Sequence, residues 1–230
     1  MYVGVVVAYN PQREEICKNI DTYINELDVL YVVDNSSKNN GDIFNGYNKV
    51  KYIPNYDNLG ISAALNIGAK EAINNKYKWI LTMDQDSHFE KDAISKMKEY
   101  INNSDKTNEK LGIVSPFHST KRTEGIKLEG VDYPILVMTS GNLLNLEAYL
   151  DVGGFPEWYF IDCVDFDFCL ALRKKGYEIA QINDAVLQHE LGDTVRRQIG
   201  KKVFYLDNHN YIRRYYVVRN RHYFYDRYKN

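Results

Sequence analysis

Several features that would assign this chain to other protein classes are scarce or missing among its 230 residues. No apolar run approaches the ~20 residues that a membrane-spanning helix requires. The three cysteines include no C-x-x-C pair and are odd in number, which favours reduced, packed thiols over a disulfide or a zinc site. The sequence opens on a predicted strand, without a basic leader or a cleavage site. These absences predict a cytoplasmic protein.

The two common glycine-rich signatures for phosphate binding are also missing. The chain contains neither a G-x-x-x-x-G-K-[ST] loop nor a G-x-G-x-x-G turn, and the stretch "AYNPQREE" after the first predicted strand has no glycine. A ligand that carries phosphate would therefore have to be held by a metal ion and by isolated side chains.

Composition and charge distribution predict one main domain with an extension. The chain is 44% hydrophobic and 26% charged, which is typical of a globular protein, and its length suits one substantial domain. The net charge of −2 hides a polarity, because residues 196–230 contain ten Lys/Arg against two Asp/Glu and residues 1–195 therefore carry −10. Seven tyrosines are crowded into the same basic segment. We predict a domain of residues 1–195 and a basic, tyrosine-rich extension of residues 196–230.

Apolar, β-branched segments alternate with segments of helical periodicity as far as residue 117. The predicted strands are "YVGVVVAY", "VLYVVD", "VKYI", "WILTMD" and "LGIVSPF". This alternation predicts an α/β fold with a mostly parallel central sheet flanked by helices. Further along, "ILVMTSGNLLN" predicts one long or bent strand, and "VDFDFCLALRKKG" predicts a helix that Gly176 ends. A strand or two ending near His189 and a helical tail from about Asn208 complete the prediction.

Polar side chains follow three of the predicted strands. Tyr9 and Asn10 follow the first, Asp34 ends the second, and "WILTMDQDS" contains Asp84 and Asp86. Ligands of open parallel sheets bind beyond the carboxyl ends of the strands, so these groups together predict a binding site at that edge. Carboxylates two residues apart point the same way in an extended segment and suit Mg²⁺ or Mn²⁺. A solvated turn with a helix cap is the alternative.

A second group of polar residues lies later in the chain. Asp162, Asp165 and Asp167 precede or begin a predicted helix, where one of them can serve as a general base or simply cap the helix. Their spacing does not choose among them. The small, polar segment 139–142 suits close approach of a ligand, and equally a plain turn. His189 is either structural or a contact to metal or phosphate.

These segments together resemble the inverting family 2 glycosyltransferases of GT-A fold, in particular their bacterial rhamnosyltransferase-like branch. The resemblance extends from Val3 to about Asp193 and returns in the tail. It is carried by "VVVAYN", "VVDNSS", "NYDNLGISAALNIGAKEA", "MDQDS", "TSGNLL", "GGFPEWYFIDCVDFDFCLALRKKGY" and "YYVVRNRHYF". The implied fold is a GT-A (Rossmann-like) domain with a helical C-terminal extension, in which "MDQDS" stands at the D-x-D metal motif.

The resemblance implies a role for individual residues. Asp165 would be the catalytic base, and Mg²⁺ or Mn²⁺ would be held by Asp86, Asp84 and His189. The implied nucleotide and donor contacts, with Asp34 on the nucleobase, are Tyr9, Asn10, Asp34, Asn58, Gly60, Asn66, Asp84 and Arg219. The implied acceptor side consists of Ser140, Gly141, Asn142 and Asp162. Many relatives have Glu-Asp at the base, whereas Val164 precedes Asp165 here, which leaves open whether Asp162 substitutes for the missing Glu.

The implied activity is transfer of a sugar, with inversion, onto a hydroxyl of a glycan or lipid-linked glycan in cell-surface polysaccharide synthesis. The expected donor is dTDP-rhamnose, with a UDP-sugar as the second choice. Two alternatives belong to other classes. A sugar-phosphate nucleotidyltransferase would usually have a glycine-rich, basic loop after the first strand, which is missing here. A nucleotide-sugar-binding protein without catalysis would not need the metal carboxylates, the base and His189 together.

The basic tail has three interpretations. Its arginines alternate with tyrosines at helical spacing and are Arg213, Arg214, Arg219, Arg221 and Arg227. They can pack on the domain, bind nucleic acid, or contact anionic lipid at the inner face of the plasma membrane. The acidic body disfavours nucleic acid, so we expect none as a partner. We expect Arg219 to turn toward the donor diphosphate and the outer arginines to meet the membrane.

Overall fold

The computed structural model describes residues 1–104, 110–121, 123, 125, 126, 128–189, 194–200, 202–207 and 209–229. The strands are β1 Tyr2–Ala8, β2 Val29–Asp34, β3 Val50–Pro54, β4 Trp79–Asp84, β5 His88–Phe89, β6 Leu111–Ser119, β7 Val131–Asp132, β8 Asn142–Asn145, β9 Glu178–Gln188, β10 Thr194–Ile199 and β11 Lys202–Asp207. The helices are α1 Arg13–Asp21, α2 Ile61–Asn74, α3 Ala93–Ser104, α4 Leu146–Val152, α5 Val164–Lys174 and α6 Tyr211–Tyr228.

One large sheet forms the centre of the fold, and its strand order is β3-β2-β1-β4-β8-β6-β9-β5, with β7 beside β9. Strands β3, β2, β1 and β4 are parallel, and β6 is parallel to β9. Strand β8 runs antiparallel to both of its neighbours. The predicted α/β fold with a mostly parallel sheet is therefore confirmed. Strands β10 and β11 form a separate antiparallel pair.

Helices cover the central strands, which explains why β1 reads as an almost unbroken apolar run. One apolar cluster packs α1 and α3 against the sheet, and a second cluster contains residues of α2, α4 and α5. Gly68 lets α2 approach β1 closely, because a Cβ atom there would lie 2.3 Å from a methyl group of Val5. The three cysteines are free thiols, as predicted. Among the described helices, none is both long and apolar enough to cross a membrane.

The sequence prediction was wrong for residues 135–145. Only Asn142–Asn145 is a strand, because Gly141 has a φ of +85° and turns the chain immediately before β8. The helix predicted before Gly176 is confirmed, and α6 confirms a helical tail. Asp193 and Asn208, the predicted limits of the resemblance and of the tail helix, lie outside the described residues. The division between residues 195 and 196 stays a prediction and falls within β10.

Candidate active site

Three potential metal ligands converge at the carboxyl end of the central strands. Each of Asp84, Asp86 and His189 offers one potential ligand atom, and these three atoms lie within 4.8 Å of one another. His189 Nδ1 lies 3.8 Å from Asp86 Oδ1 and 2.7 Å from the hydroxyl of Ser87. Two carboxylates and an imidazole are ligands that suit a divalent cation such as Mn²⁺. The cluster therefore matches the metal site predicted from the sequence.

Strand pairing explains how the distant His189 reaches the two aspartates. Asp84 ends β4, and a short turn leads directly into β5. Strand β5 pairs antiparallel with the end of β9, with His88 opposite Gln188. Ser87 and His189, the residues beside that pair, are therefore neighbours.

The charge balance of the cluster favours a bound cation. Burial raises the pKa of Asp84 to about 7, the nearby charge of Asp86 adds to the increase, and Arg213 opposes it. A carboxylate that resists ionisation beside another carboxylate ionises readily once a divalent ion shares the site. The residues present therefore fit a metal, and Asp84, Asp86 and His189 are the groups that would hold it.

Asp165 lies in the first turn of α5, close to this cluster. Burial raises its pKa to about 6, hydrogen bonds from backbone amides oppose the change, and the charges of Asp162 and Asp84 add to it. Its side chain accepts a hydrogen bond from the backbone N–H of Phe166 at 2.9 Å. A carboxylate with a pKa near neutrality suits a general base. It lines a small cavity together with Thr82, Thr139, Asn142, Phe155 and Phe168.

The three acidic residues around the start of α5 have different surroundings. Asp167 is fully buried, accepts a hydrogen bond from the Tyr159 hydroxyl at 2.8 Å, and pairs with Arg227 at 3.2 Å. Asp162 forms an ion pair with the tail helix. Asp165 alone of the three lines the small cavity. The three carboxylates therefore differ in burial and in partners, and the choice of Asp165 as the base stays a prediction.

Ser140 connects the predicted acceptor segment to the metal cluster. Its hydroxyl accepts a hydrogen bond from the backbone N–H of Asp84 at 3.1 Å and donates to Ser87 at 3.0 Å. Below it, Nε2 of His118 donates to the Ser140 carbonyl at 2.7 Å, and burial lowers the pKa of His118 to about 4. Ser140 therefore supports the turn that carries the metal ligands.

The next two residues of that segment are also buried. The backbone N–H of Gly141 donates to the Thr82 carbonyl at 2.6 Å. Asn142 donates to the Met138 carbonyl at 2.7 Å, and its buried Oδ1 has no partner among the described residues. The segment thus lies beneath the site, and direct contact of these residues with an acceptor stays a prediction.

Hydrogen bonds join the ends of the first, second and fourth strands. The backbone N–H of Tyr9 donates to the Gln85 side chain at 2.8 Å, and the Gln85 amide donates back to the Tyr9 carbonyl at 3.2 Å. The backbone N–H of Asn10 donates to the Ser36 hydroxyl at 2.7 Å. The polar residues predicted at one edge of the sheet therefore do lie together. Tyr9 is 51% exposed, and its contact with the nucleotide stays a prediction.

Asp34 is fully buried at the end of β2, and both of its oxygens are already engaged. One oxygen accepts from the backbone N–H and the hydroxyl of Ser36, and the other accepts from Asn40 and Tyr52. These bonds fix the 35–40 loop. The predicted nucleobase contact of Asp34 would require one of these partners to be displaced.

Asn58 and Gly60 shape the start of α2. The Asn58 side chain accepts from the Gly60 backbone N–H at 3.1 Å. Gly60 has a φ of +83°, and a Cβ atom there would lie 2.6 Å from the carbonyl oxygen of Phe160. That carbonyl accepts from the backbone N–H of Ile61 at 2.7 Å. The glycine therefore allows the start of α2 to pack closely against the segment that precedes α5.

Asn66 uses its whole amide group within the protein. It accepts from the Tyr149 hydroxyl at 2.7 Å and from the Phe155 backbone N–H at 3.0 Å. It donates to the Phe155 carbonyl at 2.9 Å and to Glu157 at 3.0 Å. Through these contacts Asn66 holds the segment around Phe155 and Glu157. Its contact with the donor stays a prediction.

Arg219 contacts the protein rather than the metal cluster. Its guanidinium donates to the carbonyl of Trp158 and to the side chain of Asn220, and it lies 4.6 Å from the centre of the Tyr216 ring. The predicted contact of Arg219 with the donor diphosphate would require these bonds to change.

Arg213 is a tail arginine whose position near the metal cluster the sequence analysis did not predict. Nη2 and Nε of Arg213 each lie 3.4 Å from an oxygen of Asp162, and its charge also lowers the pKa of Asp84. Arg213 and Arg227 were both expected among the outer arginines. Both pair with carboxylates near α5, and their contact with a membrane stays a prediction. Helical spacing gives the angles between residues but not which face packs inward.

The family of the chain follows from its sequence and fold together. The model of Glycosyl transferase family 2 matches residues 5–177, about three quarters of the chain, so the chain belongs to this family. The chain is 29% identical over 241 residues to the dTDP-rhamnosyl transferase RfbF of Shigella flexneri. That match covers 94% of this chain and 77% of the relative. Family membership sets aside the nucleotidyltransferase alternative.

Solved structures confirm the GT-A glycosyltransferase fold. GalNAc-T7 with UDP, GalNAc and Mn²⁺ superposes with a TM-score of 0.68 at 12% identity, covering 83% of this chain and 44% of that one. Staphylococcus aureus TarS 1–349 in complex with UDP-GlcNAc superposes with a TM-score of 0.65 at 14% identity, covering 87% of this chain and 59% of that one. The chain thus spans about half the length of these two proteins.

Proposed function

We propose that this glycosyltransferase moves a sugar, with inversion, from a nucleotide-diphosphate donor to an acceptor hydroxyl, and that Asp165 is its base. The observation that carries the proposal is the metal-ligand cluster of Asp84, Asp86 and His189 beside Asp165. The cluster suits the diphosphate of a donor, and Asp165 suits the proton of an acceptor. Both groups lie near the carboxyl ends of the strands, where ligands of such sheets bind.

The reaction needs one proton acceptor and one site for a departing anion. Asp165 takes the acceptor's hydroxyl proton while that oxygen bonds to the anomeric carbon. The bond from the anomeric carbon to the diphosphate oxygen breaks on the opposite face, and its electron pair leaves with the nucleoside diphosphate. A divalent ion held at Asp84, Asp86 and His189 would offset that growing charge. Arg213 supplies a further cation beside the same carboxylates.

The donor we propose is dTDP-rhamnose, with a UDP-sugar as the second choice. The first choice is supported by the relative described as a dTDP-rhamnosyl transferase, and the second by GT-A structures with UDP or UDP-GlcNAc. The acceptor we propose is a hydroxyl of a glycan or lipid-linked glycan in cell-surface polysaccharide synthesis.

The donor proposal is tested by a thermal-shift screen of dTDP, UDP and GDP with Mn²⁺. The largest stabilisation is expected with dTDP, and a preference for GDP would reject both donors. A transfer assay with the selected sugar nucleotide then reports the anomeric configuration of the product. Retention would reject inversion. Tight binding without transfer or donor hydrolysis would favour the non-catalytic alternative.

The exposed face of α6 supports contact with an anionic membrane at the inner leaflet. Tyr211, Tyr215, Val218 and Tyr225 lie on one side of this helix and are 61–82% exposed. Arg221 lies exposed beside this stripe. Tyrosines suit the headgroup region, and each basic residue near anionic lipid contributes about 1 kcal/mol. Membrane contact would bring the enzyme close to a lipid-linked acceptor.

A further inference from the structure

The segment between Trp158 and α5 has an unusual backbone. Phe160, Asp162 and Cys163 have φ angles of +62°, +65° and +63°, although none is a glycine. Residues with side chains rarely adopt this region, and they stay there only when their surroundings hold them. The segment leads directly into Asp165. Whatever holds it also sets where the two site carboxylates, Asp162 and Asp165, lie.

Asn220 holds this segment from the tail helix. Its side chain is fully buried, and its Nδ2 lies within hydrogen-bond distance of three carbonyl oxygens, those of Tyr159 at 2.7 Å, Ile161 at 2.6 Å and Asp162 at 3.0 Å. Its oxygen accepts from Nε and Nη2 of Arg219 at 3.0 and 2.8 Å. Every polar atom of the amide is therefore used, and Asn220 is the buried residue of an otherwise largely exposed helix.

Neighbouring contacts fix the same segment from two sides. The Phe160 ring stacks on Tyr216 of α6, with ring centres 4.6 Å apart and an interplanar angle of 17°. On the opposite side, the Phe160 carbonyl accepts a hydrogen bond from the Ile61 backbone N–H at 2.7 Å. Phe160 also packs so closely against Gly60 that a Cβ atom at position 60 would not fit. The segment is thus held between α2 and α6.

We propose that Asn220 is a positioning residue for transfer, and that α6 is an integral part of the active site. The inference rests on the proposed function, since it assigns Asn220 the task of holding the segment that places Asp165. Asn220 is fully buried and its amide is bonded to protein groups, so it would act through this segment rather than by touching a substrate. Its loss should therefore affect the chemical step more than nucleotide binding, because the nucleotide is expected at the ends of β1, β2 and β4.

Three variants and one control test the inference. Asn220→Asp keeps the size of the side chain and an acceptor for Arg219 but removes both N–H groups, and Asn220→Ala removes all the contacts. Tyr216→Leu gives a milder change, since it removes the ring that contacts Phe160 and Arg219 but leaves the hydrogen bonds of Asn220 in place. His222→Gln is the control, because His222 is exposed on the same helix. Three quantities are measured: kcat for transfer, Kd for the nucleoside diphosphate with Mn²⁺, and amide hydrogen exchange of residues 158–163.

We expect kcat of both Asn220 variants to fall by about 100-fold, as for a misplaced catalytic group. Kd should be unchanged, exchange of residues 158–163 should accelerate, and His222→Gln should behave as wild type. Tyr216→Leu should change kcat and exchange in the same direction by less. Normal kcat in the Asn220 variants would overturn the inference, and so would a loss of nucleotide binding in parallel with transfer. If Asp165→Asn stays active, the proposed function fails, whereas hydrogen exchange still tests whether Asn220 holds the segment.

Discussion

Arg213 of the tail helix forms an ion pair with Asp162, at 3.4 Å, directly beside the carboxylates of the proposed active site. The basic tail therefore meets the acidic body at the site itself. The charge of Arg213 opposes the rise in the pKa of Asp84 that burial causes, so it favours the ionised form of this proposed metal ligand. One arginine thus connects α6, the segment before α5 and the end of β4.

Replacing Arg213 with Gln should weaken donor binding and slow transfer. The change removes the cation beside Asp162 and the proposed metal cluster, where we propose that the diphosphate binds. Losing a charged hydrogen bond costs about 1.5–3 kcal/mol, or roughly 10- to 100-fold in kcat/KM. The measurement is kcat/KM for the donor at saturating Mn²⁺. Lys229→Gln, which removes an exposed charge at the end of the same helix, is the control. Equal kcat/KM in both variants would contradict a role for Arg213.

Mn²⁺ affinity should increase as the pH rises through about 7. The pKa of Asp84 lies near 7 in the folded chain and at 3.8 in its ordinary state, so the metal-free folded protein retains an extra proton between these values. Its stability should therefore fall as the pH rises toward 7, and metal binding, which needs the ionised carboxylate, should reverse that loss.

The measurement is the Mn²⁺-induced shift in melting temperature at pH 5.5 and pH 8. A larger shift at pH 8 is expected. His189 must also be unprotonated to bind metal, so Asp84→Asn and His189→Ala are compared separately. A shift that is the same at both pH values in the wild type would refute the assignment of Asp84 as a ligand.

Transfer should lose activity in acid because Asp165 must be ionised to accept a proton. Its pKa of about 6 predicts that kcat/KM at saturating metal declines about tenfold per pH unit below that value. Asp162 contributes to the raised pKa, so Asp162→Asn should move the acidic limb to lower pH. A limb that stays in place in this variant would show that another group titrates.

Binding to anionic vesicles should depend on the exposed stripe of α6. Deleting residues 208–230 would also remove Asn220, so point variants give the cleaner test. The triple variant Tyr211→Ser, Val218→Ser and Tyr225→Ser should float less with anionic liposomes, and salt should weaken wild-type binding. Equal flotation with neutral liposomes would rule out the electrostatic account.

The sequence alone predicted the features that depend on local pattern. Strand β4 reads as buried and ends on Asp84, so a metal site at that edge could be inferred. The role of Asn220 could not, because it depends on which face of α6 packs against residues 159–162. Likewise, the partners of Asn66 lie more than 80 residues further along the chain, and those of Asp34 depend on how the 35–40 loop folds back onto the end of β2. The family resemblance predicts that Asp34 and Asn66 contact the donor, whereas in the structure both side chains form hydrogen bonds within the protein.

The most direct test of the proposed mechanism replaces Asp165 with Asn and measures transfer and nucleotide binding on the same preparation. Asp162→Asn is the matched control, since it removes a neighbouring carboxylate and tests whether Asp162 replaces the missing Glu. We expect Asp165→Asn to lower kcat by about 10²- to 10⁴-fold while Kd for the nucleoside diphosphate with Mn²⁺ stays unchanged, and Asp162→Asn to retain most activity. Near-normal turnover of Asp165→Asn would contradict the assignment of Asp165 as the base.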